Sequence, residues 1–328
     1  MTFSLKKSLI YFTISVSAVI FFVFLSGIYF DIPRTELEGK YAKPPSQFLD
    51  LSDKTRIHYR DEGSSALPPL VLLHGANGSL LNFDRLSPLL KDDFRILTID
   101  LPAFGLTGAV PSSDYSIKSS FRVIDSVLEH LNIESIILGG NSMGGGVSWR
   151  YAIENPKRIK GLVLLSSSGV PSERSKRESS SKSRETPLVW KLMRSPMATN
   201  ILSIYTPKFF ATQGLKASVY DSSIATTEWA NQFHELTLLE GSRKAILSRM
   251  SSGYARNQNS ELLKDLDIPA LIIHGKEDNI IPVSSSENLV TFFQDGKLII
   301  YDEVGHLPMY EAPERTAKDI IEFFYKRL

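Results

Sequence analysis

Cysteine is absent from all 328 residues. That excludes disulfides and thiolate metal sites, and it is compatible with an oxidising compartment. Net charge is also nearly absent: 37 Lys and Arg stand against 36 Asp and Glu, and Lys6 and Lys7 alone exceed the formal surplus of +1. No basic patch points to nucleic acid. No His/Asp/Glu cluster has metal-ligand spacing, no cofactor pattern is present, and no internal repeat is found. Histidine is scarce, at six residues. One long stretch lacks Asp, Glu, Lys and Arg altogether: Leu9 to Phe30. As a helix it would reach about 33 Å at ~1.5 Å per residue, against a hydrocarbon layer of about 30 Å. Lys6 and Lys7 precede it and Asp31 follows, which predicts a cytoplasmic N-terminus and the rest of the chain outside the cytoplasm. The rival is a cleaved signal peptide with secretion, but the run is long for one and Phe24-Leu25-Ser26-Gly27-Ile28 is a poor cleavage site.

What is present starts with Gly140-Asn141-Ser142-Met143-Gly144. The pattern G-x-S-x-G follows an apolar run, Ile136 to Leu138, and precedes a helical segment, Val147 to Glu154. Strand, tight turn, serine and helix together raise a nucleophile above the surface. The next residue, Met143, offers a backbone N–H at a helix N-terminus, where donors are unpaired and negative charge is favoured. A serine needs a base, and the base needs an orienting acid. His58 lies in an alternating strand, His130 in an amphipathic helix and His234 in a helical insertion. His74 and His274 end apolar strands before Gly, as strand-end histidines bonded to backbone do. His306 instead follows the last strand (Lys297 to Tyr301) and a short loop, where a base following Ser and acid in chain order belongs. For the acid, Pro269 to His274 is a strand followed by Gly-Lys-Glu-Asp. Asp278 is the first choice, and Glu277 is the neighbour to exclude. The strand Gly161 to Leu165 ends in serines, with no carboxylate.

Eight strands are predicted: Phe48–Leu51, Arg56–Arg60, Leu70–Leu73, Arg95–Ile99, Ser135–Leu138, Gly161–Leu165, Ala270–Ile273 and Lys297–Tyr301. Most are continuous runs of Ile, Leu and Val alternating with helical stretches, the mark of a mostly parallel sheet buried on both faces. The expected organisation is an N-terminal stub and transmembrane helix (1–30), a polar linker (31–47), an α/β core (48–167 and 267–328) and a helical cap (168–266). The cap opens with a charged segment, Ser172 to Glu185, whose composition is that of a mobile loop. Pro187 to Phe210 follows, apolar and proline-broken. It suits the cap's own core, an acyl-chain pocket or a lip against lipid.

Four stretches together resemble the α/β-hydrolase superfamily, in its lipase, esterase and epoxide-hydrolase-like branch: LVLLHGANGS (70–79), IDLPAFGLTG (99–108), GGNSMGGGVSWRYAIENPKRIKGLVLL (139–165), and HGKEDNIIP with VGHLPMYEAPE. The resemblance covers about residues 46 to 328 and is weakest in the middle third. It implies an eight-stranded sheet with helices on both faces and a cap. It also implies an oxyanion site of two backbone N–H groups, from Met143 and from Ala76, with Asn77 beside it. One departure is Ala103, where such chains often carry glycine in D-x-P-G-x-G. Epoxide hydrolases of this fold use an aspartate nucleophile, so Ser142 points to acyl transfer to water. C–C bond hydrolases of aromatic ring cleavage share the GNSMGG pattern but tend to carry tryptophan after the histidine, where this chain has Leu307. Cofactor-free perhydrolases share the triad. The expected protein is a membrane-anchored serine hydrolase of an apolar acyl ester, a lipid among the candidates. The alternatives are C–C or perhydrolase chemistry, or a ligand receptor on a hydrolase scaffold.

Overall fold

The computed structural model describes residues 2–170, 203–251, 260–325 and 327, with only the backbone described at 2–6, 8, 9, 19, 20 and 23. Its centre is one eight-stranded sheet. The strands are β1 (Ser46–Asp50), β2 (Arg56–Glu62), β3 (Pro69–Leu73), β4 (Arg95–Ile99), β5 (Ile136–Asn141), β6 (Ile159–Leu165), β7 (Ala270–Gly275) and β8 (Gly296–Tyr301). They lie in the order β1-β2-β4-β3-β5-β6-β7-β8. The β1–β2 and β2–β4 pairs are antiparallel, and the rest are parallel.

Side chains alternate across this sheet, so each strand feeds two cores. On one face Val71, Leu73, Leu97, Ile99, Ile136, Leu138, Leu162 and Leu164 pack with Phe121, Ile124 and Val147. Those last three belong to α4 (Ile117–His130) and α5 (Met143–Glu154). On the other face Leu70, Leu72, Ile96, Ile137, Val163, Leu165, Leu271 and Ile273 meet Ile320, Phe323 and Phe324 of the C-terminal helix Pro313–Phe324. Burial on both faces explains why these strands read as continuous apolar runs.

Between β6 and β7 the described part of the insertion is helical: Lys208–Ser218, Thr227–Thr237 and Ser242–Ser251. In chain order, after α1 (Thr2–Leu25), α2 (Arg34–Tyr41) and α3 (Ser87–Leu90), these are α6, α7 and α8. Ser172–Glu185 and most of Pro187–Phe210 fall outside the described residues.

Two expectations change at the N-terminus. The first helix runs Thr2–Leu25, not Leu9 to Phe30, and among the described residues no helix is long and apolar enough to cross a membrane. The expected linker is also structured. Residues 27–32 form a strap on the cap: Ile28 bridges Tyr205 and Ile32 bridges Leu239. Tyr29 N–H donates to Ile204 O at 3.1 Å, and Thr206 N–H donates to Gly27 O at 2.7 Å. Leu37 of α2 is 1% exposed and packs in a small apolar cluster with Leu80, Leu81, Leu106, Leu236 and Leu239. A polar average hid one anchoring apolar residue, Leu37.

Candidate active site

The turn between β5 and α5 holds Ser142 at φ 52°, ψ −114°, a conformation that costs a non-glycine residue about 1–3 kcal/mol. The surroundings impose it. Ser142 N–H donates to Leu165 O at 3.0 Å, and Ser142 O accepts from the N–H groups of Gly146 and Ser168 at 3.0 and 2.9 Å. The flanking glycines are required by close approach. A Cβ on Gly140 would stand 2.5 Å from Leu73 O, and one on Gly144 only 2.1 Å from the same atom. The helix starts directly after the serine, so the N–H of Met143 belongs to its first turn, where no intrahelical acceptor exists.

His306 and Asp278 meet beyond β8 and β7. His306 Nδ1 donates to Asp278 Oδ2 at 2.7 Å, which leaves Nε2 as the ring's proton acceptor. The Asp278 side chain is fully buried and that of His306 nearly so. Asp278 Oδ1 accepts from the N–H groups of Ile280 and Ile281 at 2.8 and 2.9 Å. Burial pushes the Asp278 pKa up. Hydrogen bonds from His274 and His306, with the Ile281 N–H, outweigh that and hold the carboxyl well below the usual carboxylate range. Glu277 is turned elsewhere and accepts from Val304 N–H at 3.1 Å.

Several positioning groups escape a reading of the sequence. His274 Nε2 donates to Ile281 O at 2.9 Å, as expected for a strand-end histidine, but it also lies 3.3 Å from Asp278 Oδ2. Its Nδ1 accepts from the Ser286 hydroxyl at 2.6 Å. Asn141 Nδ2 donates to His306 O at 2.9 Å and to Leu165 O at 3.1 Å, tying the serine strand to the base loop. Glu311 accepts from the N–H groups of Gly305, Leu307 and Tyr220, and His306 N–H donates to Ser218 O at 2.8 Å. The cap and the base loop are therefore fastened together.

Ala76 and Asn77 lie on the turn after β3, closed by Gly78 N–H donating to Gly75 O at 3.1 Å, with Asn77 at φ 58°. His74 fixes the turn's base. Its Nδ1 donates to Gly75 O at 2.7 Å and its Nε2 accepts from Leu101 N–H at 3.0 Å. Burial pushes its pKa down, against the pull of nearby Asp100, and this suits the neutral ring those bonds require. Asp100 in turn takes His58 Nδ1–H at 2.6 Å and the N–H groups of Leu80 and Leu106, each at 2.7 Å. Ala103 adopts φ 81°, so alanine fills here the left-handed position that glycine usually takes.

Ala76, Asn77, Asn141, Ser142 and His306 line a cavity of about 800 Å³. Phe210, Leu215, Phe233, Ile246 and Leu247 line it too, with Tyr205 and Pro207 and the polar Thr206, His234, Thr237 and Arg243. A serine hydroxyl, an imidazole paired with a carboxylate, and backbone N–H groups at two turns stand at the carboxyl ends of parallel strands, where such sheets place their sites.

The description "alpha/beta hydrolase fold" matches residues 68–313. The chain belongs to this family. Among its relatives is an uncharacterized hydrolase, YugF, of Bacillus subtilis, 28% identical over 83% of this chain and 95% of its own length. Lipase 1 of Psychrobacter immobilis is 26% identical over 84% of this chain and 82% of its own. A 2-hydroxy-6-oxononadienedioate/2-hydroxy-6-oxononatrienedioate hydrolase of Cupriavidus pinatubonensis is 26% identical over 85% and 94%. A meta-cleavage product hydrolase structure from Pseudomonas fluorescens superposes with TM-score 0.68 at 24% identity, over 86% of this chain and 98% of that one, a likeness of fold.

Proposed function

We propose that this α/β hydrolase cleaves carboxylic esters of apolar acyl groups through an acyl-enzyme. Ser142 Oγ attacks the ester carbonyl while His306 Nε2 takes its proton. The N–H groups of Ala76 and Met143 hold the oxyanion. His306 then gives the proton to the departing alkoxide, which leaves as the alcohol. Water, deprotonated by His306, attacks the acyl-enzyme and releases the acid and Ser142. Asp278 keeps Nδ1 of His306 protonated and the ring in place. The observation that carries the reading is the cavity, which Ser142 and His306 line together with Phe210, Leu215, Phe233, Ile246 and Leu247, apolar surface that suits an acyl chain.

A second reading is C–C bond hydrolysis, since relatives carry that activity in their names. Their named substrates are dianions, and among the described lining residues the only Lys or Arg is Arg243, which is already paired. That weighs toward the ester. Turnover of p-nitrophenyl esters from acetate to dodecanoate, with Ser142 labelled by a fluorophosphonate, tests the proposal. Consumption of the dienedioate with no ester turnover would replace it. A ligand receptor would take no label.

We also propose that α1 holds the enzyme at a lipid surface. Support comes from the uncharged run Leu9 to Phe30 and from Ile10, Tyr11, Phe12, Ile14, Phe21 and Phe22, all more than half exposed. Retention of the full chain in alkali-washed membranes tests this, and release by the wash would reject it.

A further inference from the structure

Arg243, on α8, is only 6% exposed yet lines the cavity. An unpaired guanidinium in such a wall would be costly, and it would attract an anionic ligand. Here its charge is met from behind. Asp31 Oδ1 accepts from Nε at 3.1 Å and from Nη2 at 2.5 Å. Nη1 donates to Tyr29 O at 2.8 Å and to Thr206 Oγ1 at 3.3 Å. Asp31 is itself fixed, its Oδ2 accepting from Gly241 N–H at 3.0 Å. Asp31 and Tyr29 belong to the strap that follows α1, and Asp31 does not line the cavity. No Asp or Glu stands among the described lining residues, so this carboxylate is the counter-charge for that wall. The other nearby titratable ring is His234, which burial holds below its ordinary value and whose Nε2 bonds Thr206 O at 2.7 Å.

We propose that Asp31 is a specificity-determining residue: by neutralising Arg243 from outside the cavity, it makes the site select uncharged acyl chains over chains that end in a carboxylate. The proposal rests on the ester-hydrolase reading and extends it. Selectivity here is a difference between two affinities, and the element that rejects the wrong ligand is the carboxylate already in place. A substrate carboxylate reaching Arg243 would have to displace Asp31 or share its cation at close range. Without Asp31 the same guanidinium becomes a receptor for an acyl chain with a terminal carboxylate.

The test compares p-nitrophenyl butyrate, hexanoate and octanoate with the mono-p-nitrophenyl esters of succinate, adipate and suberate. Wild-type enzyme should favour the uncharged member of each length. Asp31→Asn should shift the kcat/KM ratio toward the carboxylated ester by about tenfold or more at the length that reaches Arg243, as loss of a close charge pair allows. Asp31→Glu should keep the wild-type ratio. Arg243→Met, which leaves Asp31 in place without its cation, should depress the carboxylated esters further. It also serves where Asp31→Asn folds poorly. Equal loss on both ester classes would overturn the proposal and leave Asp31 a structural residue. Binding of adipate and hexanoate to the same variants, followed by calorimetry, keeps the two readings apart. An enzyme that turns over no ester but gains adipate binding on Asp31→Asn would refute the ester reading alone. Ester turnover with an unchanged ratio and no gained binding would refute the role of Asp31 alone.

Discussion

Ser142 carries both the proposed chemistry and the turn's backbone strain. Ser142→Ala keeps the strained backbone, so turnover should vanish while the urea midpoint stays near wild type. Ser142→Gly should also abolish turnover but raise stability by about 1 kcal/mol, because glycine adopts this φ without the steric cost. A stability gain for alanine equal to that for glycine would show that the turn is not strained. Asp278 and Glu277 are neighbours with separate tasks. Asp278→Asn should lower kcat on the order of 10⁴-fold through the wrong His306 tautomer, by analogy with the serine protease triad. Glu277→Gln should cost far less, since its carboxylate meets only the Val304 N–H among the described contacts. Steady-state kinetics on the two variants decides it, and reversed losses would move the acid to Glu277. On acidification Asp278 stays ionised until well below the ordinary carboxylate range, held there by its hydrogen bonds.

At the scale of elements, the site is an agreement between loops. The β5–α5 turn supplies Ser142, the β7 and β8 loops supply Asp278 and His306, and the cap reaches His306 through Ser218 O and Glu311 through the Tyr220 N–H. The N-terminal boundary follows the same logic. Phe24 stacks on Tyr205 at 4.9 Å between ring centroids, but the dense hydrogen bonding begins only at Gly27. Removing residues 2–25 should therefore leave the strap seated and hydrolysis of a short, water-soluble ester close to the full-chain rate. Hydrolysis of an ester held in vesicles should fall, through loss of effective concentration at the surface. A cut that also removes 26–32 should change the cavity wall and lower the melting temperature. Equal behaviour of the two truncations in soluble assays would show that the strap contributes nothing to the fold.

For the whole molecule, acid sensitivity is set by carboxylates whose pKa falls on folding. Asp278 is one, and Asp100, where the His58 contact and backbone donors overcome the cost of burial, is another. A depressed folded pKa gives stability that is present above the unfolded value of about 4 and is lost as pH falls toward the folded one. Stability should thus be steady above about pH 5 with respect to these groups and decline below it. Asp278→Asn should narrow its gap to wild type between pH 5 and 3 in urea titrations. A constant gap across that range would mean that Asp278 gains nothing from its hydrogen bonds on folding.

The sequence by itself determined the sheet, since unbroken Ile, Leu and Val runs have no stable place except between two layers of helices. It also determined where the serine turn lies, because Gly140 and Gly144 leave space no other residue could leave. Asp278 was already preferred from its place after the strand Pro269 to His274, but excluding Glu277 as partner of His306 was tertiary, fixed by which carboxylate the Ile280 and Ile281 N–H groups hold. So were the contacts of His274, Asn141 and Glu311, whose partners lie on different strands and loops and leave no periodic trace. The N-terminal strap was least legible. Residues 27 to 32 are held by backbone bonds to the cap and by one ion pair to a residue more than two hundred positions away, and neither hydropathy nor charge pattern records a partner so distant in the chain.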